Sequence, residues 1–208
     1  MKPRMDFTGQ RLGLFKLPPV PITELTGNEL GEGLSRRELA LAADAKLREL
    51  QRGAGLSNND TGWLLQINRK GRNKMGDNAD LSAAESKAIA NIETLVRYAV
   101  LAETHPDVEH HNPQVSEVHR LYVPLGIAGV LYRVKLTAKT FVPELGKGKV
   151  LHALAAVEIE NAPLGTLPAH ETPKTPKPQA QPTTERTLSI ADLLAGATLS
   201  NNSPFSII

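Results

Sequence analysis

The hydrophobic pattern of this 208-residue chain changes its period once, and that change limits the folds that it can adopt. In residues 34–52 and 83–102, apolar residues recur every three or four positions, as on one face of a helix. From residue 117 to residue 160, apolar and polar residues alternate, as in strands with one buried face. Helices followed by an uninterrupted series of strands predict an α+β fold, with N-terminal helices packed on a C-terminal antiparallel sheet.

Two capping boxes show where the predicted helices begin. In Ser35-Arg36-Arg37-Glu38 and in Ser82-Ala83-Ala84-Glu85, each of the serine and glutamate side chains can satisfy a free backbone amide of the other residue. The apolar spacing after these boxes predicts helices at roughly 34–52 and 83–102.

Three longer strands are predicted in the second half of the chain. They cover Glu117–Val123, Val130–Lys139 and Val150–Glu160. The first two are separated by a turn at residues 124–129, which contains one proline and two glycines. A shorter strand is predicted at 63–67, after a turn cluster at 58–62.

Composition divides the chain into four parts. Residues 1–21 are rich in glycine and proline and predict an extended arm, and residues 22–162 form the domain. Residues 163–186 have the Pro, Thr, Lys and Gln content of a linker. Residues 187–208 are a C-terminal segment whose apolar part, Leu188–Leu194, predicts a short helix that docks on the domain or on a partner.

Composition also excludes several classes of protein. The chain has no cysteine, which rules out disulfides, cysteine-ligated zinc and thiol nucleophiles. Aromatic residues make up only 4% of the chain, which argues against a surface of base-stacking rings. The net charge is +2, so nucleic-acid binding requires a local basic patch. No apolar run approaches the roughly 18 residues that cross a bilayer, so no membrane span is predicted.

The second predicted strand carries cations on one of its two faces. Arg133, Lys135 and Lys139 alternate with apolar residues and share their face with Thr137. This face is either the solvated side of an amphipathic sheet or a surface that binds phosphates through its guanidinium and ammonium groups.

Two histidines lie in the neighbouring predicted strands. Whether His119 lies on the cationic face depends on the register of the hairpin. One register places it opposite Arg133, and a slip of one residue places it opposite Val134. His152 alternates with apolar residues, so strict alternation places it on the polar face with Glu158 and Glu160.

Two further clusters have the composition of binding sites. Arg69, Lys70, Arg72 and Lys74 surround Gly71, and this segment is either a solvated turn or a phosphate grip made of charges and backbone amides. The loop at 105–111 contains histidines and carboxylates, but it lacks the helical spacing that fixes ligand geometry. We therefore predict no metal site, and no P-loop or dinucleotide-binding motif is present.

Six short segments carry a family resemblance. They are Val118–Pro124, Gly129–Thr137, Val157–Glu160, Leu25–Glu29, Thr61–Arg72 and Ser189–Leu194. They resemble the large polyvalent protein-associated domains of phages and conjugative elements, specifically those assigned to the barnase, EndoU, colicin E5/D and RelE-like (BECR) nuclease fold. The resemblance covers about residues 22–162 and the late apolar segment.

The resemblance implies a toxin-type, metal-independent endoribonuclease with no cofactor, built from helices and a four-stranded antiparallel sheet. Such enzymes cleave tRNA or another structured RNA by attack of the 2′-hydroxyl on the adjacent phosphate. His119 matches the histidine of the motif and is the expected base or acid, with His152 as its complement. Arg133 and Lys135 are expected to stabilise the phosphorane.

The same resemblance implies the contacts and partners of the enzyme. The expected RNA contacts are Arg69, Lys70, Arg72, Lys74, Arg120, Tyr122, Tyr132 and Lys139. Trp63, Tyr122 and Tyr132 are the few rings that base stacking would use. An immunity or antitoxin protein is the expected partner, and the expected place of action is the cytoplasm, reached in some settings by delivery into a target cell.

Two other functions fit the sequence. One is a non-catalytic binding module of a phage or mobile-element polyprotein, tethered by the proline-rich segment. The other is a metal-dependent DNase that uses the loop at 105–111.

Overall fold

A mixed β-sheet organises the chain and joins segments that are far apart in sequence. The computed structural model describes residues 3–76, 82–107, 112–142, 151–160, 165–166 and 186–195. The helices there are α1 (Arg36–Gln51), α2 (Arg69–Gly76), α3 (Ala83–Ala90), α4 (Ile92–Tyr98) and α5 (Ile190–Leu194), with a 3₁₀ turn at Leu14–Lys16. The strands there are β1 (Val20–Pro21), β2 (Thr23–Leu25), β3 (Leu56–Ser57), β4 (Leu64–Gln66), β5 (Val100–His105), β6 (Val115–Ile127), β7 (Val130–Phe141), β8 (Leu151–Ile159), β9 (Gly165–Thr166) and β10 (Thr187–Leu188).

The main sheet has the order β2-β6-β7-β8-β4-β3, with β5 also paired to β6 and β9 to β7. Its centre, β5 to β8, is antiparallel. The outer pairs β2–β6 and β4–β8 are parallel. The predicted α+β class is therefore confirmed, but the sheet is mixed rather than wholly antiparallel.

The predicted helix at 83–102 is in fact two helices and a strand. The backbone turns at Asn91, and Ala99 is extended, so α4 ends at Tyr98 and β5 begins at Val100. The amide of the buried Asn58 donates to the carbonyls of Val96 (2.6 Å) and Ala99 (2.8 Å), which satisfies the helix end from a distant part of the chain. Sequence analysis therefore misses β5, the fourth antiparallel strand, because its first residues continue the apolar spacing of the predicted helix.

The β6–β7 hairpin turns through two residues, Ala128 and Gly129, both with positive φ. Its register pairs Ile127 with Val130 and His119 with Ala138. Both registers considered from the sequence are wrong, because β6 continues through Pro124. This proline lies between the positions at which β5 and β2 pair with β6, where its missing N–H breaks no ladder.

The basic segment around Gly71 forms helix α2 rather than a turn. Asn68 caps it, because its Oδ1 accepts a hydrogen bond from the Gly71 amide (2.7 Å). A Cβ atom at Gly71 would lie 2.3 Å from the carbonyl oxygen of Leu154. The glycine therefore lets α2 approach the backbone of β8.

The described parts of both terminal segments, residues 3–21 and 187–195, pack on the domain. The amide of Thr104 donates to the carbonyl of Gly9 (2.7 Å), which holds the N-terminal arm along β5. Strand β1 pairs with β10, and α5 buries Ile190, Leu193 and Leu194. Residues 190–194 form a short helix, which docks on its own domain.

Arg133 holds α5 in place. Its guanidinium donates to the carbonyls of Leu193 (3.1 Å) and Ala195 (2.9 Å) at the helix C-terminus. It also forms an ion pair with Glu160, and the arginine is only 5% exposed. Cations stabilise the negative end of a helix, so this contact both caps and anchors α5.

Replacing Arg133 by methionine should detach α5. Glu160 and two carbonyls would lose a buried partner, so the free energy of unfolding should fall by about 3–5 kcal/mol. Urea unfolding gives this value, and hydrogen exchange should show faster exchange in 190–195. The exposed Arg97→Met on α4 is the control, with an expected change within about 0.5 kcal/mol; equal stabilities for the two variants would contradict the assignment.

Gly71→Ala should destabilise the domain although alanine favours helices by about 1 kcal/mol. The new methyl group meets backbone that cannot move independently, so we expect a net loss of about 1–3 kcal/mol in urea unfolding. Lys70→Ala, at an exposed position of α2, should change the free energy of unfolding by less than about 0.5 kcal/mol. A stabilised Gly71→Ala variant would show that α2 and β8 are not in close contact.

Candidate functional site

Two histidines meet at one hydroxyl group near the C-terminal end of β7. Thr140 Oγ1 lies 2.6 Å from His119 Nε2 and 2.9 Å from His152 Nδ1. The other nitrogen of His119, Nδ1, lies 2.9 Å from Thr104 Oγ1. The four side chains form one continuous chain of hydrogen bonds.

The strand register explains why these residues meet. Thr104 of β5 pairs with His119 of β6, and Thr140 of β7 pairs with His152 of β8, so each pair shares a face. In β8, Ala155 is an extra residue between the partners of Thr137 and Ala138. This bulge reverses the alternation of β8, so the prediction that His152 shares a face with Glu158 is wrong.

Trp63 contacts both imidazoles, stacking on His152 and lying tilted against His119. Its ring centroid lies 4.3 Å from that of His152 at an interplanar angle of 13°, and 4.5 Å from that of His119 at 57°. The loop that holds Trp63 is fixed by Asn58, whose Oδ1 accepts from the Thr61 amide (2.9 Å) and hydroxyl (2.7 Å). The same asparagine caps α4, so the helix end and the indole are positioned together.

A cavity of about 290 Å³ adjoins His119. Its lining residues are Pro3, Met5, Trp63, Leu101, Thr104, Glu117 and His119. The Glu117 carboxylate is 41% exposed and lies 3.9 Å from His119 Nε2, whereas His119 itself is 1% exposed. His152 is only partly buried, so it is the more accessible imidazole.

Arg133 and Lys135 do not join the histidines. Along the regular strand β7 they alternate with Val134 and Leu136, and their partners across β6 are Pro124 and Tyr122. They therefore lie on the opposite face from His119, whose partner is Ala138. Lys135 pairs with Glu158 (2.5 Å), and Arg133 is bound to Glu160 and α5.

Most of the other expected RNA contacts are engaged within the fold. Arg120 pairs with the buried Glu103 (3.2 Å), and Lys139 pairs with Asp107 (3.1 Å). Arg72 donates to Gln51 (3.0 Å) of α1. Tyr122 is buried and Tyr132 is partly buried. The exposed members of the set are Arg69, Lys70 and Lys74, all on α2.

Tyr122 is buried beside α5, against Leu193 and Leu194. Burial, followed by the nearby carboxylates of Glu103 and Glu160, raises the pKa of its phenol to about 12, and Arg120 and Arg133 oppose this shift less strongly. The ring is therefore a neutral core residue rather than a surface for base stacking.

The loop at 105–111, which is rich in histidines and carboxylates, lies partly outside the described residues. His105 lies at the end of β5, while residues 108–111 lie outside the described residues. Within the part of the chain that the structure describes, no group of three or more His, Asp or Glu side chains is placed to hold a metal ion. No helix among the same residues has the length and apolar surface required to cross a bilayer.

Thr140 and Thr104 were not identified from the sequence. Threonine is common in strands, and neither residue lies in a motif, so only the register reveals their contacts with His119. Trp63 was identified as an aromatic ring, but its stacking on the histidines depends on the fold of the loop around Asn58.

The family of the chain follows from a comparison with protein-family models. Residues 35–149, more than half of the chain, match the model of the large polyvalent protein-associated domain 3. The chain belongs to this family. The match contains His119 and Thr140 and ends at residue 149, before β8. His152 of this large polyvalent protein-associated domain, in β8, therefore lies outside the matched segment. No curated protein and no solved structure matched the chain.

The phenol of Tyr122 should titrate with a midpoint near pH 12. Because its folded pKa is raised above the unfolded value of about 10, its contribution to stability is complete below pH 10 and is lost as the pH rises towards 12. The measurement is the difference between phenolate absorbance titrations of wild type and Tyr122→Phe. A difference curve centred at the ordinary value near 10 would contradict the burial of Tyr122.

Proposed function

We propose that this domain is a metal-independent endoribonuclease whose acid and base are His119 and His152. The observation that carries the proposal is the hydroxyl-linked histidine pair beside a cavity. Cleavage by the 2′-hydroxyl needs one group that accepts a proton and another that donates one. Two imidazoles whose ring centroids are 6.1 Å apart supply both groups on one side of the sheet.

In the proposed reaction, a neutral imidazole takes the proton of the 2′-hydroxyl as its oxygen bonds to phosphorus. A protonated imidazole then donates its proton to the 5′-oxygen as the bond between that oxygen and phosphorus breaks. The products are a 2′,3′-cyclic phosphate and a 5′-hydroxyl. The positive charge of the protonated imidazole also opposes the negative charge that develops on the phosphorane.

The exposed cations of α2 are better placed to bind phosphates than those of β7. Helix α2 packs against β8, the strand that carries His152, and it exposes Arg69 and Lys70 at its N-terminal end. Arg133 and Lys135 lie on the other face and are paired with carboxylates. We therefore assign the phosphate contacts of this proposal to α2.

The remaining parts of the proposal follow the resemblance to BECR nucleases. The substrate would be tRNA or another structured RNA, encountered in the cytoplasm. A cognate immunity or antitoxin protein would protect the cell that makes the domain, since an unprotected ribonuclease is toxic.

A second candidate function is a non-catalytic binding module of a polyvalent protein. Two observations favour it. The chain belongs to a family defined by its association with large polyvalent proteins. Several strand cations, among them Arg120, Arg133 and Lys139, are paired with carboxylates of the same domain rather than gathered around the histidines.

The test is cleavage of total RNA by the purified chain in EDTA, with wild type, His119→Gln and His152→Gln compared at equal folded concentration. Wild type should produce ends with 2′,3′-cyclic phosphate. Each substitution should reduce the rate by about 100-fold or more, because each removes a proton-transfer group.

His105→Gln is the matched control. His105 pairs with Val118 on β6, on the face opposite His119, so this variant should cleave like wild type. Absence of cleavage by wild type, or equal rates for wild type and both site variants, would contradict the ribonuclease. RNA binding without cleavage would favour the binding module, and DNA cleavage that EDTA abolishes would favour a metal-dependent DNase.

A further inference from the structure

A single hydroxyl group serves two imidazole rings in this domain. Thr140 Oγ1 contacts His119 Nε2 at 2.6 Å and His152 Nδ1 at 2.9 Å, and Thr140 is only 6% exposed. A hydroxyl has one proton to donate, so it can satisfy at most one unprotonated ring nitrogen. When both hydrogen bonds form, at least one of these two nitrogens must therefore carry a proton.

Two arrangements with neutral rings form both hydrogen bonds and also place the Thr140 proton on an acceptor; if both nitrogens carried protons, this buried hydroxyl would have no acceptor among these groups. In the first, His119 Nε2–H donates to Thr140, the Thr140 hydroxyl donates to His152 Nδ1, and the Thr104 hydroxyl donates to His119 Nδ1. The proton of His152 is then on Nε2. In the second, His119 Nδ1–H donates to Thr104, Thr140 donates to His119 Nε2, and His152 Nδ1–H donates to Thr140. The tautomer of one histidine thus determines the tautomer of the other.

We propose that Thr140 is a positioning residue that couples the two histidines, so that the tautomer of buried His119 determines which nitrogen of His152 carries the proton. The coupling gives His119, which is 1% exposed, a way to act through the more accessible His152. Glu117 on β6 is the carboxylate that faces this pair, at 3.9 Å from His119 Nε2. The nearby helix α2 contributes the cations Arg69, Lys70 and Lys74.

The catalytic consequence of this coupling rests on the proposed ribonuclease function. When His152 Nε2 gives its proton to the 5′-oxygen, the Thr140 proton passes to His152 Nδ1 and the His119 Nε2 proton passes to Thr140. In the preceding step, which starts from the second arrangement, His152 Nε2 takes the proton of the 2′-hydroxyl, the His152 Nδ1 proton passes to Thr140 and the Thr140 proton passes to His119 Nε2. His119 therefore holds the positive charge until the 5′-oxygen is protonated. Over the two steps each atom of the relay gives up as many protons as it gains.

The first test reads the imidazoles directly and does not depend on activity. Ring ¹⁵N chemical shifts distinguish protonated from unprotonated nitrogens in the full chain. Thr140→Val should change the ring shifts of both His119 and His152, and Thr140→Ser should keep the wild-type pattern. Thr137→Val, on the same strand but the opposite face, is the matched control and should change neither. Unchanged shifts at either histidine in Thr140→Val would overturn the proposal.

A second variant covers the case in which Thr140→Val fails to fold. Thr104→Val removes a hydroxyl that contacts His119 only at Nδ1. If Thr140 couples the rings, this substitution should also change the ring ¹⁵N shifts of His152. An effect confined to His119 would overturn the coupling.

RNA cleavage separates the two proposals. Thr140→Val should lower kcat/KM by about tenfold or more and alter its pH profile, while Thr140→Ser should restore both. A wild-type pH profile in Thr140→Val would overturn the coupling and leave the ribonuclease intact. If wild type does not cleave RNA, the ribonuclease fails, and the ¹⁵N shifts still decide whether Thr140 couples the histidines.

Discussion

The bulge at Ala155 decides which side chains of the sheet meet. Without the extra residue, strict alternation along β8 would place His152 on the face of Glu158. With it, Glu158 pairs with Lys135 on one face while His152 reaches Thr140 and Trp63 on the other. The histidine pair, and the function proposed for it, depend on this local change of phase.

The two faces of the sheet consequently have different tasks. One face carries ion pairs and the docking site of α5, where Arg133 caps the helix and Tyr122 is buried. Truncating a buried and paired arginine destabilises a fold, so this residue has a structural role that its charge alone does not reveal. The other face carries the histidines, a cavity and a tryptophan held by Asn58, which are features of a site rather than of a scaffold.

The sequence predicts the fold class and much of the secondary structure, because capping boxes and hydrophobic periods are local signals. It mistakes β5 for helix, because the helix end at Ala99 is satisfied by Asn58, about 40 residues away. It identifies His119 and His152 but groups them with Arg133 and Lys135, since neither the hairpin register nor the β8 bulge has a local signature. No local sequence pattern identifies Thr140, because its role depends on contacts with His119 and His152 in the neighbouring strands.

The most direct test of this account is a nuclear Overhauser measurement on the aromatic rings of the full chain. Trp63 is the only tryptophan in the sequence, so its indole protons are assigned without ambiguity. With ring centroids 4.3 and 4.5 Å away, they should give cross-peaks to the ring protons of both His152 and His119. Cross-peaks from His152 to Lys135 and Glu158, with none to Trp63, would show that β8 alternates without a bulge and would contradict the site.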